Sequence, residues 1–207
     1  MTDSIQKYLN SVRSLCPKVT DVELSYLETG LSVSNLKARQ FYIEANELQQ
    51  SVGFVSKGLL RSFYIDEEGK EITVRFIAEN DFATNYVAFI SLKPSKFYIQ
   101  CIEPSEIVNI PYLHMQNSYS KFLTLEQYGR LVAEEVLKHH QKRIESFLFE
   151  NAEERYLDFM KTFPNLYNRV SISSLSTYLG VERQSLTRIR KKISQNQIDT
   201  FVSGEDF

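Results

Sequence analysis

Ser171-Ile-Ser-Ser-Leu-Ser-Thr-Tyr-Leu-Gly-Val-Glu-Arg-Gln-Ser-Leu-Thr-Arg-Ile-Arg-Lys-Lys-Ile193 is the stretch from which the rest of the chain can be read. Ser171 suits an N-cap, because its hydroxyl can accept from an exposed backbone N–H of the first helical turn. Leu175 and Leu179 then fall four residues apart on one helical face. Ser176 is small enough to let a crossing helix approach. Gly180 suits the left-handed residue that ends a helix, and Val181 supplies an apolar plug in the turn. A second helix follows. Leu186, Ile189 and Ile193 share its inner face, and Arg183, Gln184, Thr187, Arg188 and Lys191 lie on the other. Arginine can pair bidentately with guanine and glutamine with adenine, so the outer face suits base edges and phosphates. Glu182 is out of pattern: an acid at a helix start favours the dipole but repels a phosphate.

Working outward, the segment 168–193 carries six basic residues (Arg169, Arg183, Arg188, Arg190, Lys191, Lys192) against Glu182, about +5. The chain as a whole is −2, so the remainder is about −7. A basic patch on an acidic body fits docking to a polyanion through one face. Just upstream, Arg169–Ile172 reads as a short strand, and Ala152–Phe163 as an amphipathic helix stopped by Pro164. After Ser194 the tail is polar.

Residues 120–149 read as one long helix with two apolar stripes. Leu125, Tyr128, Val132 and Val136 form one; Leu131, Leu137, Ile144 and Leu148 form the other. Two apolar faces need two partners, one within the chain and one in a second copy. The first stripe is assigned to the dimer interface. Between about 32 and 113 the chain is a series of short β-rich runs: 41–43, 52–55, 59–65, 72–77, 97–102 and 107–110. In 72–77, Ile72, Val74 and Phe76 are expected on one face, and Asp66-Glu-Glu-Gly-Lys70 reads as a hairpin turn. Many short strands in tandem suggest a sandwich or jelly roll. Residues 1–30 read as helices punctuated by Pro17 and Gly30.

Composition places few further limits. The 207 residues are 43% hydrophobic and 24% charged, ordinary for a globular protein. No apolar run approaches the roughly 18 residues of a membrane span, and the first sixteen residues hold no signal-peptide core. Cys16 and Cys101 stand alone without metal-ligand spacing. The expected location is therefore cytoplasmic. His114, His139 and His140 lie outside the strand run and do not converge as a metal site would require. No metal is expected. No phosphate loop, dinucleotide fingerprint or catalytic triad appears, so no enzyme and no cofactor is expected.

From about residue 20 to 193 the chain resembles the Crp/Fnr family of transcription regulators. Leu179-Gly180-Val181-Glu182-Arg183-Gln184-Ser185-Leu186-Thr187-Arg188 is similar to the family's Leu-Gly-x-x-Arg-x-x-x-x-Arg at the start of its recognition helix. Gly58-Leu-Leu-Arg61 followed by Glu68-Gly-Lys-Glu71 is similar to its first β-roll hairpin. The resemblance implies an α+β fold: a β-roll sensor (1–119), a dimerisation helix (120–149) and a winged helix-turn-helix (150–207). It implies base reading by Arg183, Gln184 and Arg188, backbone contacts from Ser185 and Thr187, and a phosphate contact from Lys191. Ser171 and Arg169 join this DNA-binding set. It further implies a homodimer on double-stranded DNA at an inverted repeat, an activator rather than a repressor, and hence RNA polymerase as a partner; no membrane is involved.

One departure bears on control. Members that bind cyclic AMP use a Gly-Glu pair and, further on, an Arg, which meet the ribose hydroxyl and the phosphate. Here the stretch Glu79–Phe97 contains no Gly, no Arg and no Glu after Glu79. Lys93 and Lys96 offer charge without a bidentate fork. Dependence on cyclic AMP is not expected. Three alternatives stay open. One is gating by a cyclic nucleotide after all. Another is a different effector in an apolar pocket lined by Phe82, Tyr86, Phe89 and Phe97. The third is a protein–protein module that has lost DNA binding.

Overall fold

The computed structural model describes residues 2–202, with side chains through residue 195. Two helices open the chain, α1 (Asp3–Leu15) and α2 (Asp21–Glu28), capped by Thr2 and Thr20. At α2 the cap is reciprocal: the Thr20 side chain accepts from the Glu23 N–H, and Glu23 reaches back to the Thr20 N–H.

Eight strands follow. They are β1 (Ser32–Leu36), β2 (Phe41–Ile43), β3 (Ser51–Lys57), β4 (Leu60–Ile65), β5 (Glu71–Ile77), β6 (Phe82–Ala83), β7 (Tyr98–Cys101) and β8 (Ser105–Pro111). They form two antiparallel sheets, ordered β1-β8-β3-β6 and β2-β7-β4-β5. Ile43, Val55, Leu60, Ile77, Ala83, Ile99 and Ile107 fill the space between the sheets and are buried. That is the expected β-roll. β1 and β6, which carry little apolar alternation, had no counterpart among the expected runs. The expected turn at 66–70 is present, with Gly69 at φ 80° and the Asp66 N–H donating to the Lys70 carbonyl.

The expected alternation in β5 does not hold. Ser62 pairs with Arg75 and Phe63 with Thr73, so Val74 is skipped as a bulge. Thr73 thereby becomes buried. A short helix, α3 (Tyr86–Ser91), lies between β6 and β7.

The long helix expected over about 120–149 is present from Leu123, and a further helix precedes it. α4 (Tyr112–Lys121) ends at Phe122, whose backbone is extended, and α5 (Leu123–Phe149) starts there. Leu125 and Tyr128 are buried with Tyr8, Leu9, Phe54 and Phe89, and Val132 packs against the same cluster. The stripe assigned to a dimer interface is thus turned inward, because it faces the N-terminal helices and the first sheet. Leu137, Ile144 and Leu148, on the other stripe, are exposed.

Asn151 caps α6 (Ala152–Thr162), which stops before Pro164 as expected. The strand expected at 169–172 is a turn running into α7 (Ile172–Leu179). α8 (Arg183–Val202) continues past Ile193. Among the described residues no strand follows β8, so the expected β-wing is not found among them. A third core joins this region to the roll: Leu59 and Phe76 pack with Tyr156, Phe159, Leu175, Leu179 and Leu186. Burying side chains of this size contributes roughly 1.5–3 kcal/mol each.

Candidate nucleic-acid interface

The turn between α7 and α8 is built as its sequence requires. Ser171 Oγ accepts from the Ser174 N–H at 3.0 Å. Leu175, Ser176 and Leu179 are buried on the inner face. Gly180 takes the left-handed conformation (φ 67°, ψ 38°), and its N–H donates to the carbonyls at the end of α7. A Cβ there would lie 2.6 Å from the Phe147 ring, so both backbone and space demand glycine. The Val181 N–H closes the turn by donating to the Ser176 carbonyl at 3.0 Å. Leu186 is fully buried, and Ile189 and Ile193 pack beside it.

That packing leaves Arg183, Gln184, Thr187, Arg188 and Lys191 exposed on α8. Ser185 is half-buried and accepts from Arg188 at 3.2 Å. Arg183 and Lys191 have no acidic partner among the described residues. The remaining bases of the segment face the protein. Arg190 donates to the Tyr167 hydroxyl and stacks on that ring at 4.5 Å. Lys192 pairs with Glu153 at 2.7 Å.

Arg169 is the clearest departure from expectation. Its guanidinium pairs with Glu79 at 2.8 Å and Glu103 at 2.6 Å, both on the β-roll. It is therefore an internal clamp, not a group presented to DNA. The two carboxylates hold the guanidinium firmly protonated. Burial alone would raise the Glu79 carboxyl. Its hydrogen bonds from Arg169 and from backbone N–H groups, including that of Gly58, outweigh this and hold it below the usual carboxylate range. Ser171 remains at the surface as the helix cap.

Two further contacts join α7 and the turn to the roll. The Thr73 N–H, freed at the β5 bulge, donates to Thr177 Oγ1 at 3.2 Å. Lys70 reaches Glu182 at 3.4 Å, which gives the off-pattern acid a partner on the hairpin. Both side chains are exposed, so this pair contributes little to stability.

Sequence reasoning missed Arg143 and Arg155. Arg143, on α5, donates to the Tyr178 carbonyl and lies 3.9 Å from the centre of that ring. Arg155, on α6, donates to the Leu179 carbonyl at 3.0 Å. Together they satisfy the last carbonyls of α7 with positive charge, the sign the helix C-terminus favours. No local pattern marks them, because their acceptors are backbone groups far along the chain.

The residues named for an effector pocket separate. Phe82 and Tyr86 line an apolar cleft beside α5. Phe89 is wholly buried in the core. Phe97 packs edge-on against Tyr64, 5.9 Å between centroids, away from the cleft. Among the described residues no cluster of metal-ligating side chains forms, and no helix is long and apolar enough to cross a membrane.

Residues 33–121 match the family model for the cyclic nucleotide-binding domain. The chain is similar in structure to the c-di-GMP-responsive global regulator CLP of Xanthomonas campestris. Identity is 12% and the TM-score 0.67, over 86% of this chain and 93% of that one. FixK2 from Bradyrhizobium japonicum is similar at 14% identity and a TM-score of 0.69, over 81% and 86%. A Crp/Fnr-family transcriptional regulator from Eubacterium rectale is similar at 15% identity and 0.68, over 88% and 87%. The fold is that of the Crp/Fnr regulators. No curated protein matches the chain in sequence. In this fold α5 is the long helix that joins the roll to the helix-turn-helix of α7 and α8.

Proposed function

We propose that this protein is a sequence-specific DNA-binding transcription regulator that acts as a homodimer on an inverted repeat. The observation that carries the reading is the exposed face of α8. There Arg183, Gln184, Arg188 and Lys191 stand out on a helix anchored by Leu186 and started by a left-handed glycine. A second copy of the chain covers the outer stripe of α5, Leu137, Ile144 and Leu148, which nothing within the chain buries. Pairing along that stripe sets two recognition helices roughly 34 Å apart, in successive major grooves.

The regulator works without cyclic AMP. Supporting this, Glu79, the only Glu in the stretch 79–97, is engaged by the Gly58 N–H and by Arg169, and apolar side chains fill the roll interior. Lys93 and Lys96 are exposed.

Two substitutions test the DNA reading. Arg188→Ala lowers affinity for the selected site by roughly 1–3 kcal/mol and relaxes preference at one base pair. Lys191→Ala weakens binding to all sequences alike and lowers the slope of affinity against salt by about one. Binding assays over a panel of single-base variants separate the two effects. Unchanged discrimination in Arg188→Ala overturns the assignment.

A further inference from the structure

α5 stops at Phe149, Glu150 is extended (φ −105°, ψ 141°), and Asn151 already caps α6. Both linking residues keep soft backbone dihedrals, so the backbone alone does not fix the angle between α5 and the helices that follow. Side chains fix it. The Arg143 guanidinium donates to the Tyr178 carbonyl, 35 residues on. It lies 3.9 Å from the centre of the Tyr178 ring and 4.3 Å from that of Phe147. Phe147 in turn fills the space that a Cβ on Gly180 would need. Arg155, in the first turn of α6, donates to the Leu179 carbonyl at 3.0 Å and to the Glu150 carbonyl, and its guanidinium lies 4.9 Å from the centre of the same Phe147 ring. The end of α5, the start of α6 and the end of α7 thus meet at one joint.

Arginine suits this place because a planar guanidinium donates in its plane and stacks through its faces. Its acceptor is one of the last carbonyls of α7, which the helix itself leaves open, so the bond forms only at one setting of α7 against α5. Small changes in that setting are magnified at α8. Packed helices lie about 10 Å apart, so a turn of about 10° at the joint moves α8 by about 2 Å. Two such moves in a dimer come close to the rise of one base pair, roughly 3.4 Å. Arg143 and Phe147 lie about 100° around α5 from the stripe of Leu137, Ile144 and Leu148, so a second copy seated on that stripe leaves the joint in place.

We infer, on the basis of the DNA-binding dimer proposed above, that Arg143 is the positioning residue that sets the spacing between the two half-sites. With Phe147 and Arg155 it locks each recognition helix at one angle to α5, and so at one distance from the recognition helix of the second copy. Arg143 touches no base; it acts on DNA through α7 and α8. Which bases are read and how far apart they stand are therefore set by different residues, the first by the outer face of α8 and the second by the joint.

Binding of the full chain to duplexes that carry its selected half-site twice, with the centres moved apart in steps of one base pair around about 10, tests it. The wild type binds one spacing about tenfold or more better than its neighbours, as a half-site out of register costs at least as much as a mismatched base pair. Arg143→Met keeps an unbranched apolar stem and loses the donors. It binds the neighbouring spacings within a few-fold of the best, with base preference inside each half-site unchanged. Arg143→Lys restores a charged donor and recovers part of the spacing preference. Val12→Ala, at a buried position of α1, lowers stability away from the joint and keeps the wild-type spacing. Arg155→Met is read in the same way should Arg143→Met not hold its fold. Wild-type spacing preference in the folded arginine variants, loss of base preference along with spacing, or broadened spacing in Val12→Ala overturns the inference while leaving the DNA reading in place. Absence of any selected half-site for the wild type overturns both.

Discussion

Arg169 and Arg188 are the same residue type in the same basic segment, yet their surroundings give them opposite roles. Arg188 projects from α8, where Leu186 fixes the inward face and so the outward one. That relation is local, at helical spacing, and legible in sequence. Arg169 is placed by Glu79 and Glu103, 90 and 66 residues away, and no local pattern shows it. Arg169→Ala leaves two half-buried carboxylates facing each other. The expected loss is about 1–2 kcal/mol of stability, read from the denaturant midpoint, with base preference on DNA intact. Gly180→Ala forces a side chain into both a left-handed backbone and the Phe147 ring. It should lose about 1–3 kcal/mol, mostly as a looser helix-turn-helix seen in hydrogen exchange at α7.

At the scale of elements, α5 carries the lesson. Its two apolar stripes were readable from spacing alone, but which one faces inward depends on the N-terminal helices that Tyr128 and Leu125 meet. Periodicity fixes faces relative to each other and leaves their partners open. The break at Phe122 was equally hidden, since no Pro or Gly marks it. Charging the outer stripe with Leu137→Glu and Ile144→Glu should yield a folded monomer in sedimentation. Tyr128→Glu, in the buried stripe, should instead lose the cooperative melt. In β5, Phe76 anchors the helix-turn-helix to the roll against Phe159 and Tyr178, at 6.0 and 5.1 Å between centroids. Truncation to Ala should lose about 3–5 kcal/mol and expose α7 amides to exchange while the roll stays protected.

Across the whole molecule, the order of roll, long helix and helix-turn-helix was legible because each part has its own period and turn chemistry. The docking of the last part onto the first was not, because it rests on a bulge at Val74, an aromatic cluster and three acid–base contacts far apart in sequence. Acid should loosen that docking. The Glu79 carboxyl lies below its usual range when folded, so its contribution is full above the ordinary value of about 4.5 and is lost as pH falls through the depressed one. Glu79→Gln should therefore flatten the acid limb of stability against pH below about 4.5, while a wild-type acid limb in that variant would remove the clamp from the account.

The central claim is that the α8 face reads DNA as it stands in this fold. Selection of bound duplexes from a random library by the purified chain, with no nucleotide added, tests it most directly. The account predicts an inverted repeat with half-site centres about 10 base pairs apart, lost in Arg183→Ala/Arg188→Ala. Retention of no motif, both alone and after addition of a metabolite extract, would contradict it.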